Sequence, residues 1–363
     1  MTEADTAPPS PEIPGRPRSR WKEILVTLIV VGAIFAFAFP KLAGSGYDKI
    51  WAQLKTLTAS EVLLLFTIWI VNLLTYTPVL VACLPGLTHM QALTLNLSGS
   101  AVSNTVPFGG ALGIGTTYSM TRSWGFRTAP VTRSILISGI WNVFAKLGLP
   151  ATALLFLAIH GRDNATLIGM ATSGAVTLAV AVVIFALLLK TDRLARRIGT
   201  VASSLAHKVR PHAAPARWAD RAVEFRHESA SLIKQIWVRL SVWMIIYNLG
   251  QFAILLVAVR MFEPSVSRLG WTEVFAAFTL GRLLTTIPLT PSGVGFVETG
   301  LAGALRHFGG QSAACAAAVL VYSSFTYLLE IPAGAFGWAT WAWTTRWRKP
   351  VPPASSSSPS THP

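Results

Sequence analysis

Charge is scarce in this chain. Asp, Glu, Lys and Arg make up 12% of its 363 residues, against roughly a quarter in soluble globular domains. That leaves too little polar surface to clothe a large water-soluble body. Cysteine is scarcer still: only Cys83 and Cys315 are present, both in apolar surroundings, which excludes a disulfide framework and a cysteine-built zinc site. No His-Glu-x-x-His or comparable metal motif occurs, and no cofactor is expected. Acidic residues are few, 15 against 30 Lys and Arg. This basic excess does not form a stripe interleaved with aromatics in a soluble segment, so nucleic acid is not an expected partner. It clusters between apolar runs instead, the positive-inside pattern of membrane proteins.

The apolar runs define an all-α polytopic membrane protein. Residues 1–20 are rich in Pro, Ser and Arg, and 346–363 carry Ser355 to Ser358 and several prolines; both read as disordered tails flanking a membrane domain over 21–345. Six spans are expected: Ile24–Phe39, Val62–Cys83, Ser134–Ile159, Thr166–Leu189, Val238–Val259 and Ala313 to about Trp343. Most reach the roughly 20 residues needed to cross about 30 Å of hydrocarbon. The first follows Arg16, Arg18, Arg20 and Lys22 and runs into Pro40 and Lys41 without a small-x-small cleavage site, which reads as a retained helix and not a signal peptide.

Two apolar regions depart from this pattern. Residues 92–120 and 273–305 are cut near their middles by Pro and Gly, leaving arms too short to cross comfortably. Irregular backbone survives at membrane depth only when buried in protein or lining a wet cavity, so each reads as a re-entrant helical hairpin. The segment 190–237 is a basic loop; from Lys190 to Arg239 eleven Lys or Arg face Asp192, Asp220, Glu224 and Glu228, which places it in the cytoplasm. Counting spans outward puts both termini in the cytoplasm and the two hairpins on opposite faces. Within the loop, Trp218, Ala222, Phe225 and Leu232 recur near helical spacing beside Arg217, Arg221, Arg226 and Lys234, an interfacial amphipathic helix.

The halves also correspond in sequence. A shift of 184 positions lays Pro107 on Pro291, Gly109 on Gly293, Arg122 on Arg306, Gly125 on Gly309, Ala129 on Ala313 and Leu136 on Leu320. With the opposed hairpins, this predicts an inverted repeat, first copy 62–159 and second 238–345, whose site lies near the bilayer midplane.

Four charges stand inside apolar runs, where each costs a few kcal/mol and marks function by default: Lys146, Arg282, Glu298 and Glu330. The shift lays Lys146 on Glu330, which suggests a buried ion pair, with helix packing and transport as alternative roles. Arg282 and Glu298 flank Pro291 at similar helical depth and could pair across the hairpin. Arg282 is also suited to a lipid phosphate. Gly293 and Gly295 open a helix N-terminus whose N–H groups suit an anion, though they also serve a sharp turn. Pro332 is expected to kink the long last helix and free carbonyls, and Trp338, Trp341, Trp343 and Trp347 to form an aromatic belt.

The Pro-Ser-Gly-Val-Gly-x-x-Glu run from Pro291 to Glu298, the cluster of Asn104, Pro107, Gly109 and Gly110, and the multi-span layout with a basic central loop resemble the lysylphosphatidylglycerol synthase transmembrane-region family, also called flippase-like proteins. The resemblance covers roughly residues 20–345. It implies a bacterial or archaeal plasma-membrane protein handling lipid-linked substrates, with members that flip an aminoacylated phospholipid between leaflets. The candidate substrate-binding residues are therefore Arg282, Pro291, Gly293, Gly295, Glu298, Glu330, Lys146, Asn104, Pro107, Gly109 and Gly110. Where many relatives carry charge after the glycines of the first hairpin, Ala111 to Met120 is neutral here, which argues against a lysylated lipid. Lysine transfer needs a soluble domain of a few hundred residues and is not expected of this chain. The rival readings are an intramembrane enzyme using Glu298 or Glu330, with His307 nearby, and a scaffold whose basic loop binds anionic lipid. The expected partners are membrane lipids and a lipid or lipid-linked substrate; oligomeric state has no signature in the sequence.

Overall fold

The computed structural model describes residues 29, 32, 34–105, 109–159, 165–193, 196–197, 200, 216–262, 269–285, 290 and 293–344. Every regular element among them is helical. In chain order they are α1 (Phe39–Ala43), α2 (Tyr47–Leu54), α3 (Ala59–Cys83), α4 (His89–Thr105), α5 (Gly109–Ser123), α6 (Thr128–Ile159), α7 (Ala165–Lys190), α8 (Ala216–Phe262), α9 (Trp271–Leu284), α10 (Phe296–His307), α11 (Ser312–Ser323) and α12 (Glu330–Trp343). Two π-helical turns, Ile34–Ala38 and Ser324–Leu328, precede α1 and α12.

Five of these stretches are long and apolar enough to cross a membrane: Ala59–Cys83, Thr128–Ile159, Thr172–Lys190, Asp220–Phe262 and Ser312–Trp343. The chain is a multi-pass membrane protein. Half of the expected sixth span, Ile24–Phe39, lies outside the described residues; its described end continues through Pro40 and stops at Gly44, so Pro40 does not terminate it.

Local sequence sets the helix starts. Thr58 and Glu61 close α3 reciprocally, with the Thr58 N–H donating to the Glu61 carboxylate at 2.8 Å. Thr88 and Gln91 do the same before α4, at 3.0 Å and 3.3 Å. Each box satisfies N–H groups that the first turn would otherwise leave open.

α4 and α5 pack on each other as a hairpin, as do α9 and α10. The arms of 17, 15, 14 and 12 residues span about 18–26 Å at 1.5 Å per residue, less than the hydrocarbon thickness. Shifted by 184, Thr128–Ile159 falls on 312–343, the full run from α11 through the π turn to α12. The contacts exchange in the same way: α4 of the first hairpin lies along α12 of the second half, and α9 of the second hairpin lies along α6 of the first, while α3 pairs with its counterpart α8. Gly125 and Gly309, matched by the shift, both adopt positive φ (90° and 104°) where a hairpin arm turns into the next long helix, a conformation that glycine takes without a Cβ clash.

Two expectations change. The basic loop 190–237 is not a separate interfacial helix followed by a span, because α8 runs unbroken from Ala216 to Phe262 and joins both. Nothing between 220 and 262 is Pro, so no residue stops the helix. The break in the last long helix precedes Pro332: it is the π turn Ser324–Leu328, closed by a Leu329 N–H bond to the Ser324 carbonyl at 2.8 Å. Pro332 has no N–H for the Leu328 carbonyl, and a wider turn beforehand accommodates that loss.

The main core joins α1, α3, α6 and α8 to the second hairpin and α11. In lipid, close approach of small residues drives helix contact more than apolar transfer does. α11 follows this rule with Ala314, Cys315, Ala316, Ala317 and Ala318 at 1% exposure or less.

Candidate functional site

A cavity of about 520 Å³ opens where the two halves meet. Its walls come from both arms of the first hairpin, from α3, α6 and α8, from Arg282 and Thr285 at the end of α9, and from the π turn and Glu330. The lining is polar for a membrane interior. Along α6, Ser134, Ser138, Asn142 and Lys146 recur every fourth residue and so stand on one helix face. Asn96, Ser100, Ser103 and Asn104 on α4, and Gly110, Gly113, Thr117 and Thr121 on α5, repeat at three or four.

Arg282, Lys146 and Glu330 all reach this cavity. Glu330 is buried at 8% exposure and accepts from Asn104 Nδ2 at 3.5 Å, while the same amide donates to the Tyr327 carbonyl at 3.3 Å. A carbonyl of the π turn thus holds the first hairpin against the second half. Arg282 lies in the field of Glu330 and of the Tyr247, Tyr322 and Tyr327 hydroxyls. Lys146 lies in the repulsive field of Arg282. No ion pair joins Lys146 to Glu330, or Arg282 to either glutamate, among the described residues. Both expected pairs are therefore absent. Two cations share one pocket with a single carboxylate.

Unused hydrogen-bonding capacity belongs to two of the lining residues. Arg282 Nε is a buried donor without a partner among the described residues, and Gln251 Oε1 a buried acceptor without one, although Gln251 Nε2 donates to the Tyr247 hydroxyl at 2.9 Å. Buried polar atoms are nearly always satisfied, so an orphan donor and an orphan acceptor on two residues of one lining stand out.

The remaining candidates separate from the cavity. Glu298 is 2% exposed, and its carboxylate turns back to accept the Gly295 N–H at 2.6 Å. It caps α10, which is why it does not reach Arg282. Gly295 (φ 90°) and Gly293 (φ 81°) are buried in the turn before α10, where an added Cβ on Gly295 would come within 2.9 Å of Ile34. They fit the turn reading and line no part of the cavity. Gly110 lines it; Gly109 is buried against Ser103, whose hydroxyl donates to the Gly109 carbonyl at 3.3 Å. Pro107 and Pro291 lie outside the described residues, as does Trp347.

Residues not nominated from sequence, among them Asn96, Asn142, Tyr247 and Gln251, also line the cavity. Their signal was present as fourfold spacing of polar side chains on otherwise apolar helices, Asn142 before Lys146 and Tyr247 before Gln251. Asn96, part of a glycosylation-like triplet, is turned to the cavity and not to a surface loop.

The profile described as "Lysylphosphatidylglycerol synthase TM region" matches residues 24–334. A search of curated proteins finds no match.

Proposed function

Since this chain belongs to the lysylphosphatidylglycerol synthase transmembrane-region family, a membrane family associated with lipids, we propose that it translocates a phospholipid or lipid-linked substrate by taking the headgroup into the cavity between its halves. The observation that carries this reading is the convergence of Arg282 and Lys146 on one pocket whose lining holds a single carboxylate, Glu330. Two cations that repel each other are stabilised by an anion between them, and guanidinium is the side chain best shaped for phosphate oxygens. Glu330 supplies an acceptor for hydroxyl or ammonium groups on the same headgroup.

In this reading the short-armed hairpins enter from opposite leaflets as an inverted repeat, both termini and the basic segment lie in the cytoplasm, and the membrane is the plasma membrane. The side chains bind and guide the headgroup, and no bond is made or broken. The test is a flipping assay with the purified protein in liposomes, using fluorescent phosphatidylglycerol and phosphatidylcholine. Protein-dependent movement of the anionic lipid, lost in Arg282→Ala, supports the reading. Movement unchanged in Arg282→Ala and Lys146→Gln removes the site, and conversion of the lipid without translocation replaces transport with intramembrane catalysis.

A further inference from the structure

A second cavity, about 1160 Å³, shares no lining residue with the first. It lies on the other side of α6, between the first turns of α6, the last turns of α7 and the arginine-rich part of α8. Its volume exceeds the roughly 300–1,000 Å³ usual for small-molecule pockets. α7 packs along α6 and touches α8 far less, which leaves the gap open.

The walls divide by chemistry. Leu136, Ile140, Phe185, Leu188, Phe225 and Ile233 form the apolar part, continuous with the exposed face of α7 at Val183, Ile184 and Leu187. Five arginines, 122, 127, 133, 221 and 226, meet only Glu224 and Glu228 at the polar part. Arg133 is paired with Glu228, and Arg226 with Asp192 and the Leu189 carbonyl. Each of these two still keeps a buried Nε–H without a partner among the described residues. Arg122 makes one long contact, 3.5 Å to the Phe126 carbonyl. Arg127 and Arg221 have no hydrogen bond or ion pair among the described residues. Charge is thus left over beside an apolar trough that adjoins the exposed apolar face of α7.

We infer that this cavity is a binding site for an intact phospholipid with an anionic headgroup, separate from the translocation cavity. The phosphate sits among Arg122, Arg127 and Arg221, and an acyl chain lies along α6 and α7. A free anion would gain only the arginines, and in a zwitterionic lipid the headgroup ammonium offsets the phosphate charge; an anionic lipid fills the trough and brings net negative charge to the arginines. The inference does not depend on transport through the first cavity.

The test uses the full-length protein in phosphatidylcholine nanodiscs with a photoactivatable phosphatidylglycerol, with cross-links mapped by mass spectrometry. Labelling is expected at 127–130, 132, 133, 136, 137 or 140, or within 185–189 or 221–233. Unlabelled phosphatidylglycerol should compete, and inorganic phosphate at equal concentration should not. Arg127→Gln with Arg221→Gln should reduce labelling about 25-fold, since each basic side chain at an anionic membrane surface contributes about fivefold, and Arg127→Lys with Arg221→Lys should restore most of it. Arg282→Gln should leave labelling here unchanged. The inference is overturned if the Gln double variant labels like wild type, if phosphate competes as well as the lipid, or if cross-links fall only on residues of the first cavity.

Discussion

The two hairpins hold equivalent places in their halves and do opposite things. In the second, Thr272 through Thr279 of α9 are all buried, and Leu301, Ala302 and Leu305 of α10 are at 1% exposure or less. In the first, α5 buries only Gly109, Gly113, Met120 and Thr121, and both arms turn Asn, Ser and Thr toward the cavity. One hairpin has become the wall of a wet pocket. The other has become a buttress whose contribution to that pocket, among the described residues, is the end of α9, Arg282 and Thr285. A repeated architecture therefore does not impose repeated chemistry: burial fixed one copy and freed the other to carry polar groups.

The largest expected effect comes from removing the one charge the buttress supplies. Arg282→Ala should slow flipping of an anionic lipid about 10- to 100-fold in liposomes, the range for losing hydrogen bonds to a charged partner. Its thermal stability should fall little, because the deletion also removes an incompletely satisfied buried charge. A large drop in melting temperature with transport intact would make Arg282 part of the buttress alone.

Glycines sharpen the contrast next. An added Cβ at Gly334 on α12 would run into the Leu97 carbonyl of the first hairpin and reach Ala101 Cβ at 2.5 Å. Backbone cannot yield as a side chain can, so Gly334→Ala should cost about 1–3 kcal/mol and part the hairpin from α12. At Gly281, inside the second hairpin, the nearest atom to an added Cβ is Leu301 Cδ1 at 3.6 Å, ordinary contact. Gly281→Ala should be neutral or raise stability by up to about 1 kcal/mol through helix propensity. Melting temperatures in detergent compare the two.

Smaller still is the cap of α10. Glu298→Ala leaves the Gly295 N–H unsatisfied and should cost about 1–2 kcal/mol, whereas Glu298→Gln should cost less, since Gln serves at the same capping position. Transport per folded molecule should change far less in either than in Arg282→Ala. A transport loss in Glu298→Gln equal to that of Arg282→Ala would return Glu298 to the site.

The architecture was largely legible because it rests on signals that lipid enforces: apolar run length, Pro and Gly breaks, and the shift of 184 that aligns Thr128–Ile159 with 312–343. Arg282, Lys146 and Glu330 were legible as charges where charge is costly. Their pairing was not. Depth along a helix follows from rise per residue, but the direction of a side chain depends on helix rotation, and rotation is set by packing such as Gly334 against Leu97. Glu298 was misread for a related reason: three residues after Gly295 it satisfies a local N–H first, and a local bond of 2.6 Å outcompetes a distant cation. The neutral polar lining was spaced visibly at four, yet Ser, Thr and Asn are common enough in membrane helices that only the assembled cavity singles them out.

The most direct measurement takes advantage of the two native cysteines, both buried. With Cys83 and Cys315 replaced by Ala, Ser100→Cys on the cavity wall and Ala302→Cys in the second hairpin are exposed to a small water-soluble thiol reagent in liposomes with and without phosphatidylglycerol. Labelling at 100 but not at 302, slowed by the anionic lipid only while Arg282 is present, is the predicted result. An unreactive 100, or protection that persists in Arg282→Ala, would contradict a headgroup cavity held by that arginine.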